Sequence, residues 1–189
     1  KGNFNNHIGV PLTLLQLKPD AEVAVIEMGA NHQKEIEQLC NIALPTHGLI
    51  TNIGRAHLEG FGGIEGVQKG KGELLEFLKD TQGTFFLNTN DPRLIQMASD
   101  YRKVVSYGVN EEILDDFYSS QLQAVDPFIQ MEFRDENLQE FNLVTQIEGR
   151  YNAYNIAAAV AIGNYFKVDP RDIKSGIESY IPANNRSQL

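Results

Sequence analysis

Gly48-Leu49-Ile50-Thr51-Asn52, a helical period over 64–79, and Thr84-Phe85-Phe86-Leu87-Asn88 make up the stretch whose reading decides the fold. Two short apolar runs joined by a long helix are the pattern of a right-handed βαβ crossover, which places the two strands parallel. Upstream, Glu22-Val23-Ala24-Val25-Ile26-Glu27 has the make-up of a strand buried on both faces, and Ile36, Leu39, Cys40 and Ala43 follow at helical spacing. A shorter helix is expected from Val10 to Leu17, ended by Pro19. Downstream, Asp91–Asp100 reads as a helix capped by Asn90 or Asp91 with Pro92 in its first turn, and Lys103–Tyr107 as another strand. The fold class is therefore α/β, a mostly parallel sheet flanked by helices.

The period changes after about residue 113. Phe128–Arg134 and Glu140–Ile147 alternate as strands do, and Asp135-Glu136-Asn137 between them suits a hairpin turn. This predicts a small antiparallel β appendage over about 113–148. Helices return at 151–166 and again from Asp169-Pro170 to about Tyr180.

Composition narrows the classes further. The 189 residues carry 16 Lys and Arg against 25 Asp and Glu, a formal net charge of −9. Nucleic acid and anionic membrane surfaces are disfavoured as main partners, because both select positive charge. A single cysteine, Cys40, excludes an intrachain disulfide framework and a cysteine-rich zinc site. No apolar run approaches the roughly 20 residues that span a bilayer, so membrane insertion is not expected.

In open parallel sheets, ligands gather beyond the carboxyl ends of the strands. Three expected strands end there in polar loops, the first two containing glycine: Glu27-Met28-Gly29-Ala30-Asn31-His32, Asn52 through Gly60, and Asn88-Thr89-Asn90-Asp91. Glu27 is either an exposed strand-end glutamate or a buried carboxylate that needs a partner. His57 is either a metal ligand or a loop histidine. Together, a glutamate, a histidine and nearby amides suit an oxygen-preferring divalent ion such as Mg²⁺ better than zinc. Gly66-Val67-Gln68-Lys69-Gly70-Lys71-Gly72-Glu73 puts two lysines and three glycines at a helix start; it reads as a solvated face, or as a phosphate- or metal-side contact. Asn152 and Asn155, at i and i+3 beside alanines, read either as a helix cap or as amides for the edge of a flat heterocycle. No G-x-x-x-x-G-K-[ST] loop occurs, so if ATP is a ligand its main phosphate cradle is expected outside these residues.

Gly2-Asn3-Phe4-Asn5-Asn6-His7-Ile8-Gly9-Val10-Pro11, Glu27-Met28-Gly29-Ala30-Asn31, Ala56-His57-Leu58-Glu59-Gly60-Phe61-Gly62, Lys69-Gly70-Lys71-Gly72-Glu73 and Gly149-Arg150-Tyr151-Asn152-Ala153-Tyr154-Asn155 occur in one order. Taken together, they resemble the central domain of the Mur ligases. The asparagine-rich opening and His57-Leu58-Glu59-Gly60-Phe61 favour the branch that adds D-Ala-D-Ala to UDP-N-acetylmuramoyl-tripeptide.

The resemblance implies a P-loop NTPase-like central domain at 1–181, with residues 182–189 as a linker toward a further domain. It also implies N- and C-terminal domains outside this chain, a cytoplasmic setting, and ATP and two Mg²⁺ ions as cofactors. By the same resemblance Glu27 and His57 match metal ligands, and Lys71, rather than Lys69, matches a carbamylated lysine ligand. His57 and Lys71 then stand in the catalytic centre, Asn152, Asn155 and Arg186 near the nucleotide, and Asn3, Asn5 and Asn6 near the muramoyl-peptide substrate. A folylpolyglutamate-synthase-like ligase, another Mur ligase, and a non-catalytic scaffold of the same fold are the alternatives.

Overall fold

The computed structural model describes residues 4–54, 58–110, 117–135 and 137–182. Its elements run α1 (Gly9–Leu14), α2 (Glu35–Ala43), β1 (His47–Leu49), α3 (Leu58–Phe61), α4 (Ile64–Thr81), β2 (Thr84–Asn88), α5 (Pro92–Met97) and β3 (Val104–Val109). There follow β4 (Phe117–Ala124), β5 (Gln130–Arg134), β6 (Glu140–Val144), α6 (Asn152–Tyr165) and α7 (Pro170–Glu178). The six strands keep chain order in a mixed sheet. By contact density the chain divides into two compact units, 1–85 with 93–104, and 86–92 with 105–189.

In the first unit, α2 and α4 pack against each other. The buried side of α2 is Ile36, Leu39 and Cys40, as its helical spacing requires. Val10 of α1 joins them, and Leu14, Ile26, Met28, Ala30, Leu74 and Phe77 pack around the cluster. Burial pushes the Cys40 thiol up to about 12, with the Glu73 carboxylate adding to the effect, so it behaves as a small apolar side chain.

One expected strand is not formed. Residues 22–27 form no regular structure and pair with no strand among the described residues, and Val25 is 89% exposed. An apolar run becomes a strand only where a neighbour takes its backbone N–H and C=O groups. The period-2 alternation survives nonetheless. Ile26, Met28 and Ala30 turn toward the α2 core, while Val25 and Glu27 face out. Residues 22–25 are thus all exposed, one-sided packing begins only at Ile26, and Glu27 is an exposed carboxylate.

The second unit contains the expected antiparallel strands, though they do not stand apart as an appendage. Strand β4, which the polar run Tyr118-Ser119-Ser120-Gln121 hid from the pattern reading, pairs in parallel with β3, Ser106 opposite Phe117. Strands β5 and β6 then continue the same sheet as an antiparallel hairpin, Met131 opposite Leu143. The Asp135 carboxylate closes the turn by accepting from the N–H groups of Asn137 and Gln139. Helix α6 is buried nearly all round through Ala153, Ile156, Ala157, Ala158, Val160 and Ala161. Its Tyr165 meets Phe86 of β2 edge-to-face at 5.2 Å.

Strand β6 closes the sheet, and α7 covers its open edge with side chains. Asp169 caps that helix by accepting from the Arg171 N–H, and Pro170 occupies its first turn, as expected. Glu178 accepts the Val144 N–H at 2.8 Å, and Lys174 donates to the Asn142 carbonyl. These are the outward-facing groups of an edge strand, which otherwise invite pairing with another chain.

Candidate functional site

The loops nominated from sequence have different fates. Asn88–Asp91 turns its polar side chains onto its own sheet. Asn90 Oδ1 accepts the Val109 N–H at 2.7 Å while its Nδ2 donates to the Val109 carbonyl at 3.0 Å, and Thr89 Oγ1 donates to the Tyr107 carbonyl. Asn88 Oδ1 accepts the Asn90 N–H. This loop joins the ends of β2 and β3, and the amide of Asn90 serves as a surrogate peptide group.

The Glu27 loop keeps its acidic group exposed and oriented. Asn5 Nδ2 donates to Glu27 Oε1 at 2.9 Å, and the Asn5 carbonyl accepts the Gly29 N–H at 2.7 Å. Asn6 does local work, its Oδ1 accepting the N–H groups of Ile8 and Gly9 where the chain turns into α1. At the far end of the loop, Glu35 Oε2 accepts the Asn31 N–H at 2.7 Å and the His32 N–H at 3.2 Å. These contacts, the Asn31 N–H foremost, hold the Glu35 carboxyl below its ordinary value.

A pH dependence follows from that sign. The Glu35 contribution is present above the unfolded carboxylate range and is lost as pH falls through the lower folded value. In urea titrations between pH 6 and pH 3, Glu35→Gln is expected to lose stability less steeply than the parent on acidification. Equal slopes would show that the 31–32 loop does not depend on this charge.

The glycines of α4 have a packing reason. Phe61 of α3 is buried, and a Cβ on Gly66 would stand 1.8 Å from its carbonyl oxygen; one on Gly70 would stand 2.3 Å from its ring. Gly66 and Gly70, at i and i+4, form a groove into which Phe61 docks. A Cβ on Gly60 would lie 2.3 Å from the Asn31 carbonyl, so α3 also abuts the end of the Glu27 loop. Close helix packing is thus a reason for Gly66 and Gly70 beside whatever the two lysines of this stretch do.

The two lysines differ. Lys69 is exposed, whereas Lys71 is half-buried and its Nζ donates to the Asn52 carbonyl at 2.7 Å, at the end of the chain leaving β1. In the second unit, Asn155 Nδ2 donates to Asn152 Oδ1 at 3.0 Å, and Asn152 Nδ2 donates to the Glu148 carbonyl at 2.7 Å. Asn152 therefore does not cap α6 through its oxygen; the two amides form one polar unit at the helix start. Asn3, His57 and Arg186 lie outside the described residues. Among the described residues no three His, Cys, Asp or Glu side chains converge on a common point. Glu27, an outward-facing hard oxygen donor held by a neutral amide, fits one ligand of a Mg²⁺ ion. Sequence reasoning missed Glu35 and Glu73, whose role is set by which backbone N–H groups lie nearby.

The Mur ligase middle-domain model matches residues 1–163. The chain belongs to the Mur ligase family. Curated relatives include the UDP-N-acetylmuramoyl-tripeptide--D-alanyl-D-alanine ligases of Bacillus subtilis, 33% identical over all of this chain, and of Escherichia coli, 35% identical over 93% of it. The chain spans 39% of the length of each. Among solved structures, MurF from Acinetobacter baumannii superposes over 98% of this chain and 40% of its own, with TM-score 0.84 and 29% identity. MurF from Thermotoga maritima in complex with ADP matches over 93% of this chain and 40% of its own, with TM-score 0.72 and 28% identity. The Mur ligase sheet of this chain is thus mixed, with its antiparallel strands at one end.

Proposed function

We propose that the chain is the central part of a cytoplasmic, ATP-dependent amide ligase that joins D-Ala-D-Ala to UDP-N-acetylmuramoyl-tripeptide during peptidoglycan precursor synthesis. The observation that carries this reading is the 33% identity to the Bacillus subtilis UDP-N-acetylmuramoyl-tripeptide--D-alanyl-D-alanine ligase along the whole chain. The absence, among the described residues, of any helix long and apolar enough to cross a membrane is compatible with it.

In this reaction the terminal carboxylate of the muramoyl peptide takes the γ-phosphoryl group of ATP, giving an acyl phosphate. The amine of D-Ala-D-Ala attacks its carbonyl carbon; phosphate leaves and an amide remains. Mg²⁺, when bound, neutralises charge on the phosphoryl and carboxylate oxygens. Glu27 would supply an oxygen ligand, oriented by Asn5, with His57 as a companion ligand. Lys71, if carbamylated, exchanges an ammonium for a carboxylate-like group and becomes a ligand rather than a competing cation. Its half-burial beside the Asn52 carbonyl, against the exposure of Lys69, supports the choice. Asn152 and Asn155 offer amide edges to the base of the nucleotide, and Arg186 a cation to its phosphates. Asn3 and Asn6 stay assigned to the muramoyl-peptide side. Asn5 is better placed to hold Glu27 than to hold substrate.

The test is phosphate release by the full-length parent with UDP-N-acetylmuramoyl-tripeptide and Mg-ATP. Release is expected to require D-Ala-D-Ala and to be unsupported by single L-amino acids; release with L-amino acids or without any amine overturns the assignment. The 189-residue chain alone, which contains no G-x-x-x-x-G-K-[ST] loop, is expected to bind Mg-ATP more weakly than micromolar in isothermal titration.

A further inference from the structure

Helix α2 begins without a local cap. The residue before it, Lys34, has no side chain that can accept from the first-turn N–H groups, and its backbone lies in the left-handed region at φ +73°. A lysine rests there only when its surroundings hold it. The missing acceptor comes from α4, far away in sequence. Glu73 Oε1 accepts the Lys34 N–H at 2.6 Å, and Oε2 accepts the Glu37 N–H at 3.0 Å. Both oxygens of one carboxylate thus satisfy two donors that a helix start leaves unpaired.

What the clamp holds reaches beyond α2. Glu35, the first residue of that helix, holds the Asn31 and His32 N–H groups. Cys40 Sγ of α2 lies 3.9 Å from Met28 Sδ, and Ile26, Met28 and Ala30 rest on the same helix. Glu73 stands two residues after Lys71 on α4, so one helix carries both Lys71 and the anchor of the loop that presents Glu27.

We propose that Glu73 is a positioning residue: by clamping the start of α2 it fixes the Glu27 loop relative to the helix that bears Lys71. The proposal deepens the ligase reading, because it matters for activity only if Glu27 and Lys71 serve the metal.

The experiment is a Mg²⁺ titration of ligase turnover in the full-length parent. Glu73→Ala is expected to raise the Mg²⁺ concentration for half-maximal rate about tenfold, the usual scale for losing an outer-shell support, with kcat at saturating Mg²⁺ within about twofold of the parent. Glu73→Gln, which keeps one acceptor, falls between, and it carries the comparison if the alanine variant does not fold. Adding Lys34→Gly to Glu73→Ala is expected to restore part of the Mg²⁺ response, since glycine holds the left-handed conformation unaided. A folded variant with a lowered Tm and an unchanged Mg²⁺ requirement overturns the proposal and leaves Glu73 a stabilising cap. Should Glu27→Gln also leave the Mg²⁺ requirement unchanged, it is the ligase-site reading that has failed. The clamp is then judged by hydrogen exchange at the Asn31 and His32 amides: faster exchange in the Glu73 variant upholds it, and unchanged exchange overturns it.

Discussion

Gly66→Ala is expected to destabilise the chain by about 3 kcal/mol, at the upper end of overpacking costs, despite the better helix propensity of alanine. The new methyl would stand 1.8 Å from the Phe61 carbonyl oxygen, and a backbone atom cannot rotate away. Helix α3 must separate from α4, and with it the Gly60 contact to the Asn31 carbonyl at the end of the Glu27 loop. For a chain of this size the cost corresponds to a Tm about 10 °C lower. Gly70→Ala supplies the control, because its methyl meets the Phe61 ring instead. Phe61→Leu should therefore relieve Gly70→Ala and leave the Gly66→Ala defect in place. Calorimetry of the four variants checks this; a Gly66→Ala protein as stable as the parent would remove the groove from the account of how α3 is placed.

Glu27→Ala in the full-length parent is expected to lower kcat at least about a hundredfold, the scale for losing a group that acts on developing charge in the transition state. Stability should hardly change, since Glu27 is exposed and its hydrogen bond within the described residues is the one from Asn5. Asn5→Ala is expected to show a smaller loss, recovered in part by raised Mg²⁺, because it removes orientation and leaves the ligand. Steady-state kinetics beside thermal melts separates the two effects. Unchanged turnover in Glu27→Ala would move the metal site elsewhere or favour a non-catalytic scaffold.

Much of this molecule is legible before folding. The spacing of Ile36, Leu39 and Cys40 specifies α2, and the span of Thr84–Asn88 is read to the residue, because a helical repeat and a short unbroken apolar run are both local features. Asp169 and Pro170 announce α7 through the chemistry of a helix start. Strand β4 is not legible in the same way, since its polar face gives no apolar alternation and its pairing with β3 is non-local. The reading of 22–27 failed for a related reason. Its apolar content is real, yet strand formation belongs to a pair of segments and not to one.

For the candidate site the division is similar. Glu27, Lys71, Asn152 and Asn155 stand out in sequence because motif and residue type are local properties. Tertiary structure alone decided that Glu27 faces outward under the hand of Asn5, and that Lys71 rather than Lys69 is half-buried beside a backbone carbonyl. It also showed that Gly66 and Gly70 of α4 form a groove for Phe61. Glu73 is the clearest case: on its own helix it is one more acidic residue, and its function arises from two N–H groups that lie 39 and 36 residues away along the chain. Sequence sets which groups exist and which local periods they obey. Their partners are set by folding, because hydrogen bonds and close packing act through space and not along the chain.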